Sequence, residues 1–279
     1  MVARTRLVAP IAIVLSTLAA AGCAVARNYD HPLGPLIAHQ QEPRPLLGTG
    51  ALTPDVRVVT FNVKFAEHVA EAAALLAGDA GTRRADVLVV QEMDAPGTEQ
   101  LARALLMNSA YVPSAVHPSS DRDFGVAILS PWPITNARKV ALPHQHRFRK
   151  LRRAAVAATI AGPHGEFRVY GLHLENPWGL SPGKRRAQAR AVVADAEDWT
   201  GSIVIAGDLN GRGPAEEIEK GGFSWLTHDV HDTIGPLDAD HILARGFCGE
   251  GTVPAGKAHR VRGVSDHVPV WSVLRYCES

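Results

Sequence analysis

Residues 202–210 read Ser-Ile-Val-Ile-Ala-Gly-Asp-Leu-Asn. The apolar run suits a strand buried on both faces, and it stops on an acid and an amide. On an extended backbone Asp208 and Asn210, two apart, project to the same side. An apolar strand that ends on polar side chains delivers them to a sheet edge. The rest of the chain holds other strands that end the same way.

VRVVTFNV (56–63) closes near Asn62, and DVLVVQE (86–92) closes on Glu92. FRVYGLHL (167–174) carries His173 near its end. DHILA (240–244) opens on Asp240, and HVPVWSVL (267–274) opens on His267 just after Asp266. Further strands are expected near 111–116, at GVAILS (125–130), at AAVAATIAG (154–162) and at HDV (228–230). A Pro-His-Gly turn joins 154–162 to 167–174 as a hairpin. Helical spacing predicts helices over 66–77 and 97–107, and Ser181-Pro182 opens a third that runs to about Trp199. Hairpins mixed with βαβ units predict an α/β sandwich of two sheets with outer helices, one domain over 55–279.

Each polar strand end is weak by itself. A lone Asp there is usually a turn former or helix cap, and a lone His is more often a satisfied half-buried residue than a catalyst. The ordered set TFNV, QEMD, GLHLEN, GDLN, DADHIL and SDHVPV carries more weight. It resembles the endonuclease/exonuclease/phosphatase superfamily, the fold of pancreatic deoxyribonuclease I, exonuclease III, inositol-polyphosphate phosphatases and bacterial sphingomyelinases. The resemblance spans residues 56 to 275. It implies a four-layered α/β sandwich, two mixed sheets face to face under outer helices, and divalent-metal-dependent hydrolysis of a phosphoester.

Carried over position by position, the resemblance makes Glu92 the principal Mg²⁺ carboxylate, with Asn62 and Asp266 beside it. Mn²⁺ and Ca²⁺ are the other candidate metals. Asp208 and Asn210 would orient the attacking water and the phosphate. His267 would sit at the scissile phosphate, oriented by Asp240, with His173 as a second group on the phosphate side. Arg153 stands where members often have an arginine. Many nuclease members carry an Asp two residues after the asparagine, whereas this chain has Lys64, which could touch a substrate phosphate or point to solvent. These types suit the reaction. Hard Mg²⁺ takes carboxylate and amide oxygens, and a histidine paired to a carboxylate is held in one tautomer and made more basic. Sequence leaves open whether His267 or Asp208 takes the proton from water.

Composition fits such an enzyme. Of 279 residues 46% are hydrophobic and 20% charged, with 29 Lys or Arg against 28 Asp or Glu, so the chain is neither disordered nor a polybasic binder. Three cysteines exclude a disulfide scaffold or a cysteine-built zinc module. Arg4 and Arg6 precede an apolar run from Leu7 to Ala21 that ends Ala-Gly-Cys23. That pattern reads as a secretory signal over 1–22, and Cys23 resembles a lipobox cysteine, although Ala20 stands where leucine is usual and ordinary cleavage is the alternative. Cleavage before Cys23 would leave 27 basic against 28 acidic residues. Export to the periplasm, cell surface or medium follows, with the membrane as a partner through a lipid anchor. Residues 23–54, rich in Pro and Gly, read as a tether or extended arm. Cys248 and Cys277 are either a disulfide or two buried thiols.

Seven Lys or Arg fall between 138 and 153: Arg138, Lys139, Arg147, Arg149, Lys150, Arg152 and Arg153. They could draw a polyanion or simply be solvated. Trp132, Trp178 and Trp225 lie in or beside expected loops and could stack on bases, dip into a membrane interface or pack under the loops. Three readings stand: a phosphodiesterase on nucleic acid, the same chemistry on a phospholipid or small phosphorylated metabolite, and a non-catalytic surface module. A monomer with no obligate protein partner is expected.

Overall fold

The computed structural model describes residues 25–40, 55–249, 253–260 and 262–277. Its elements run β1 (Arg27–Asn28), β2 (Ile37–His39), β3 (Asp55–Asn62), α1 (Val69–Gly78), β4 (Val87–Met93), α2 (Ala95–Leu105), β5 (Asn108–Val116), β6 (Asp123–Ser130), β7 (Ile134–Ala141), β8 (Ala154–Gly162), β9 (Gly165–His173), α3 (Pro182–Ala196), β10 (Ile203–Asp208), α4 (Arg212–Lys220), β11 (Ser224–Trp225), β12 (Asp240–Arg245), β13 (Ala255–Lys257) and β14 (Val270–Arg275). The strands form two mixed sheets. One has the order β1-β5-β6-β4-β3-β14-β13, with β2 also on β5; the other has β11-β12-β10-β9-β8-β7.

Alternation explains the layers. Val56, Val58, Val87, Val89, Val126 and Ile128 of the first sheet face Val156, Val169, Val204, Ala206 and Ile242 of the second, forming the central core. The other face of the first sheet, with Val59, Phe61, Leu88 and Val90, packs on Ala72, Leu76 and Leu101 of α1 and α2. The other face of the second, with Tyr170, Leu172, Ile203 and Ile205, packs on Ala189, Val192 and Ile218 of α3 and α4. Both faces of the central strands are therefore apolar, as a four-layered sandwich requires.

Three local readings change. HDV (228–230) is turn, and the strand lies just before it at Ser224–Trp225. The basic stretch Ile134–Ala141 is an edge strand, and α4 fills the segment after Asn210. The presumed tether is in part a piece of the sheet: Arg27 and Asn28 pair with Val116 and Ala115, and Ile37–His39 pair with Tyr111–Ser109. Buried Lys139 holds this arm, its Nζ donating to the carbonyls of Tyr29, His31 (3.2 Å) and Gly34 (3.1 Å). The apolar run 7–21 and Cys23 lie outside the described residues, among which no helix is long and apolar enough to cross a membrane. Cys248 and Cys277 are joined as a disulfide, beside a backbone bond from Cys248 N–H to the Arg275 carbonyl (2.8 Å).

Candidate active site

Register gathers the polar strand ends. Asp208 closes β10 opposite His173 of parallel β9 and opposite Asp240 of antiparallel β12. Asn62 closes β3 opposite Gln91 of β4. Glycine is needed at 207, where φ is +153° and a Cβ would meet the Leu172 carbonyl oxygen at 2.1 Å. Glu92 is held differently. It sits at a bulge where the β4–β6 register shifts, with φ +59°, so its side chain leaves the strand alternation and turns into the site. Asn210 is also left-handed, φ +56°, and is not the extended neighbour that spacing implied. Its N–H donates to Asp208 Oδ1 (2.8 Å) and its Nδ2 to the Leu174 carbonyl (2.9 Å).

Asp208 Oδ2 is the meeting point. Asn62 Nδ2 donates to it at 3.0 Å and to Glu92 Oε1 at 3.2 Å. His173 Nε2 stands 3.4 Å and His267 Nε2 3.7 Å from the same oxygen. His267 Nδ1 lies 2.8 Å from Asp240 Oδ2. Arg153 Nη1 is 3.0 Å from His173 Nδ1; a guanidinium only donates, so His173 carries its proton on Nε2, toward Asp208. Glu175 in turn receives Arg153 Nε and Nη2, both at 3.3 Å. All three guanidinium nitrogens are thus engaged inside the protein, which makes Arg153 a positioning group for His173 rather than an open phosphate contact.

Burial sets the charges. It pushes the Asp208 carboxyl up to about 7, with the nearby Asp240 charge adding to the rise and His267, Asn62 and the Asn210 N–H opposing it. It raises Glu92 as well, against Arg153, Asn62, His267 and the Phe65 N–H, which donates to Glu92 Oε2 (3.1 Å). Burial also disfavours charge on His267, but Asp240, Asp208 and then Asp266 outweigh it and lift the imidazole to about 10. His173 is held well below 6.5 by burial, then by Arg153 and His267, and is neutral.

Of the residues singled out in the sequence, Asn62, Glu92, Arg153, His173, Asp208, Asn210, Asp240 and His267 form one connected network. Asp266 is beside it but exposed: its carbonyl accepts from Arg260 (2.7 Å), and its Oδ1 lies 3.4 Å from Ser265 Oγ. Lys64 enters through its backbone N–H, which donates to Asn62 Oδ1 (3.0 Å). Three contributors were missed. Ser265 Oγ donates to the Asn62 carbonyl (2.8 Å) and accepts from His267 N–H (3.1 Å), tying the segment before β14 to the end of β3. Thr233 Oγ1 accepts the N–H groups of Ala239 and Asp240 (3.0 and 3.1 Å). Glu175 lies two positions after His173, a period-two signal within GLHLEN.

The donor set suits a hard divalent cation. Buried carboxylates crowd one pocket, Asp240 Oδ1 is buried without a hydrogen-bond partner among the described residues, and a cation would relieve the desolvation that raises Glu92 and Asp208. Ligand atoms of Asp208, Asp240 and His267 lie within 4.8 Å of one another. Because His267 Nδ1 is already bonded to Asp240, those three also read as a hydrogen-bonded relay, with Glu92 and Asn62 as the oxygen donors next to it.

Two facing mixed sheets under paired helices, with histidines and carboxylates gathered at one end, define a deoxyribonuclease I-like α/β sandwich. The chain belongs to the Endonuclease/Exonuclease/phosphatase family, whose sequence model matches residues 59–267. Among solved structures it is similar to an endonuclease/exonuclease/phosphatase from Beutenbergia cavernae (23% identity, TM-score 0.64, covering 80% of this chain and 72% of that one). It is also similar to sphingomyelinase C from Streptomyces griseocarneus (17%, 0.57, 79% and 99%) and to the human Nocturnin catalytic domain with bound sulfate (17%, 0.57, 81% and 96%). At these identities the likeness is one of fold. Comparison with curated proteins gives no match.

Proposed function

We propose that the chain is a divalent-metal-dependent phosphodiesterase that works by in-line attack of water, with nucleic acid outside the cytoplasm as its substrate. The convergence of Asn62, His173 and His267 on Asp208 Oδ2 carries this reading. Asp208, at about 7, is poised to take a proton from water near neutral pH, whereas His267, at about 10, is charged there. Asp208 is therefore the base, and the imidazolium of His267, fixed by Asp240 and 3.7 Å from Asp208 Oδ2, neutralises phosphate charge on the same side, while the leaving oxygen takes its proton from solvent as its bond to phosphorus breaks. Neutral His173 offers its Nε2–H to the same phosphate, and Asn210, whose Nδ2 is spent on Leu174, keeps its carboxamide oxygen for the attacking water. Glu92 and Asn62 would hold Mg²⁺, which when bound supplies Lewis-acid stabilisation of the phosphoryl oxygens.

A phospholipid substrate is the second reading, favoured by the exposed Phe148 and Trp178 on loops at the active-site end. Export rests on the apolar run 7–21 and Cys23. Nicking of supercoiled plasmid in Mg²⁺ and in EDTA, with Asp208→Ala as control, tests the first reading. Metal-dependent nicking lost in the variant supports it. No nicking by the folded protein would defeat it and turn assays to phospholipids and small phosphodiesters.

A further inference from the structure

The N-terminal arm enters the molecule at its active-site end. Arg27 and Asn28 pair with Val116 and Ala115, the last residues of β5, beside the start of β6, where Gly125 pairs with Met93 just past Glu92. From there the arm runs away from the site to β2. Its first described residues are stitched to the loop over 142–153. Ala26 N–H donates to the Arg149 carbonyl (2.8 Å), Asn28 Nδ2 to the Lys150 carbonyl (2.9 Å), and Arg152 N–H to Asn28 Oδ1 (2.8 Å).

That loop is unlike the rest of the basic run. Arg138 is bonded to Asp195, Lys139 is buried against the arm, and Arg153 belongs to the site. Arg147, Phe148, Arg149 and Lys150 are exposed, with Phe148 at 56%. The Arg147 N–H donates to the Gly179 carbonyl (3.0 Å) and so joins the turn that carries Trp178, 77% exposed. Phe148 and Trp178 flank one cleft with His146, Arg149 and Asn176, and an adjoining cleft is lined by Arg147, Lys150, Arg152 and Lys184. Of the other two loop tryptophans, Trp132 packs on Phe167 and Trp225 is buried. Nearby acids are already matched: Asp30 pairs with Arg152 (3.0 Å), Asp121 with Arg27 (2.8 Å) and Glu175 with Arg153.

Two protruding aromatic rings beside Arg147, Arg149, Lys150 and Lys184, none of which has an acidic partner among the described residues, are the composition that settles in a negatively charged headgroup layer. The chain's own order points to the same partner. Cys23 is two residues before Val25, the arm's first described residue, and two residues of chain span at most roughly 7 Å. The apolar run 7–21 comes just before it.

We propose that Phe148 and Trp178, with the surrounding Arg and Lys of the 142–153 loop and Lys184, form a membrane-docking rim that lays the active-site end on an anionic bilayer. The N-terminal arm delivers that rim to the surface. The rim does not depend on which phosphoester is hydrolysed, and docking is read separately from hydrolysis.

The test uses the full 279-residue chain in phosphatidylglycerol-containing vesicles with lipids brominated high on the acyl chain. Tryptophan quenching is compared between the wild type and Trp178→Phe. A quenched component that disappears in Trp178→Phe, and falls several-fold in Arg147→Glu/Lys150→Glu and in pure phosphatidylcholine, is the expected result. Quenching identical in wild type and Trp178→Phe overturns the proposal, as does quenching indifferent to lipid and protein charge. Quenching of Trp178 by oligothymidylate in vesicle-bound protein, with none by brominated lipid, reassigns the rim to nucleic acid and also overturns it. Unchanged circular dichroism and unchanged hydrolysis of bis(p-nitrophenyl) phosphate show that the variants are folded. Loss of hydrolysis in every form, including the wild type, would count against the catalytic reading and leave the docking result intact.

Discussion

At residue scale the site is a chain of one-sided dependencies. Asp240 stands behind the reacting groups, yet its carboxylate fixes His267 Nδ1 and contributes to the imidazole's high pKa. Asp240→Asn should lower kcat by about 10²–10³-fold, in the range for a mispositioned acid–base group. The His267 pKa should fall from about 10 toward the usual 6.5, as read from imidazole NMR shifts; an unmoved pKa would contradict the pairing. The stability sign follows. A raised histidine pKa adds stability that is complete below 6.5 and is lost as pH rises through about 10, so the wild type should lose melting temperature over that window more steeply than Asp240→Asn. His117 acts in the opposite sense. Burial, then Arg149 and Arg153, lower it to about 4, so its contribution is lost as pH falls from 6.5 toward 4. His117→Gln should flatten the acid limb of a melting-temperature profile relative to the wild type.

At the scale of elements, legibility tracked burial. β3, β4, β10 and β12 are apolar on both faces, so their runs could not be mistaken, and their polar ends were found with them. β7 was hidden because an edge strand with one solvent face can spell Ile-Thr-Asn-Ala-Arg-Lys-Val-Ala and still pair. HDV looked like a strand because three residues cannot separate alternation from a turn. Gly207 is where element and site meet, since β10 and β9 approach closely there. Gly207→Ala adds backbone strain on the order of 1–3 kcal/mol together with a clash at the Leu172 carbonyl. Its melting temperature should drop by several degrees, and activity should fall even in the fraction that folds, because Asp208 is displaced. A variant as stable and as active as the wild type would show that the strands can separate without cost.

At the scale of the whole molecule, the described part of the N-terminal arm is structural. It covers the outer edge of β5, occupies Lys139 and pairs Tyr29 with Asp123 (2.7 Å). Beginning the chain at Asp55 should therefore lower the melting temperature and promote association through the bared edge, measured against a chain begun at Val25 by calorimetry and light scattering. Equal stability and equal solubility of the two would mean the arm is merely laid on the sheet.

The sequence by itself determined the alternation of buried strands and helices, the ordered set of polar strand ends and the chemistry those residue types favour, because periodicity and local termination are properties of neighbours along the chain. Only the tertiary structure decided which of those ends touch. The meeting at Asp208, the left-handed turns at Glu92 and Asn210, the capture of Arg153 by Glu175 and the entry of the arm beside the site all depend on register between strands far apart in the chain. Spacing along one strand does not encode that register; it is selected by the packing of both sheet faces at once.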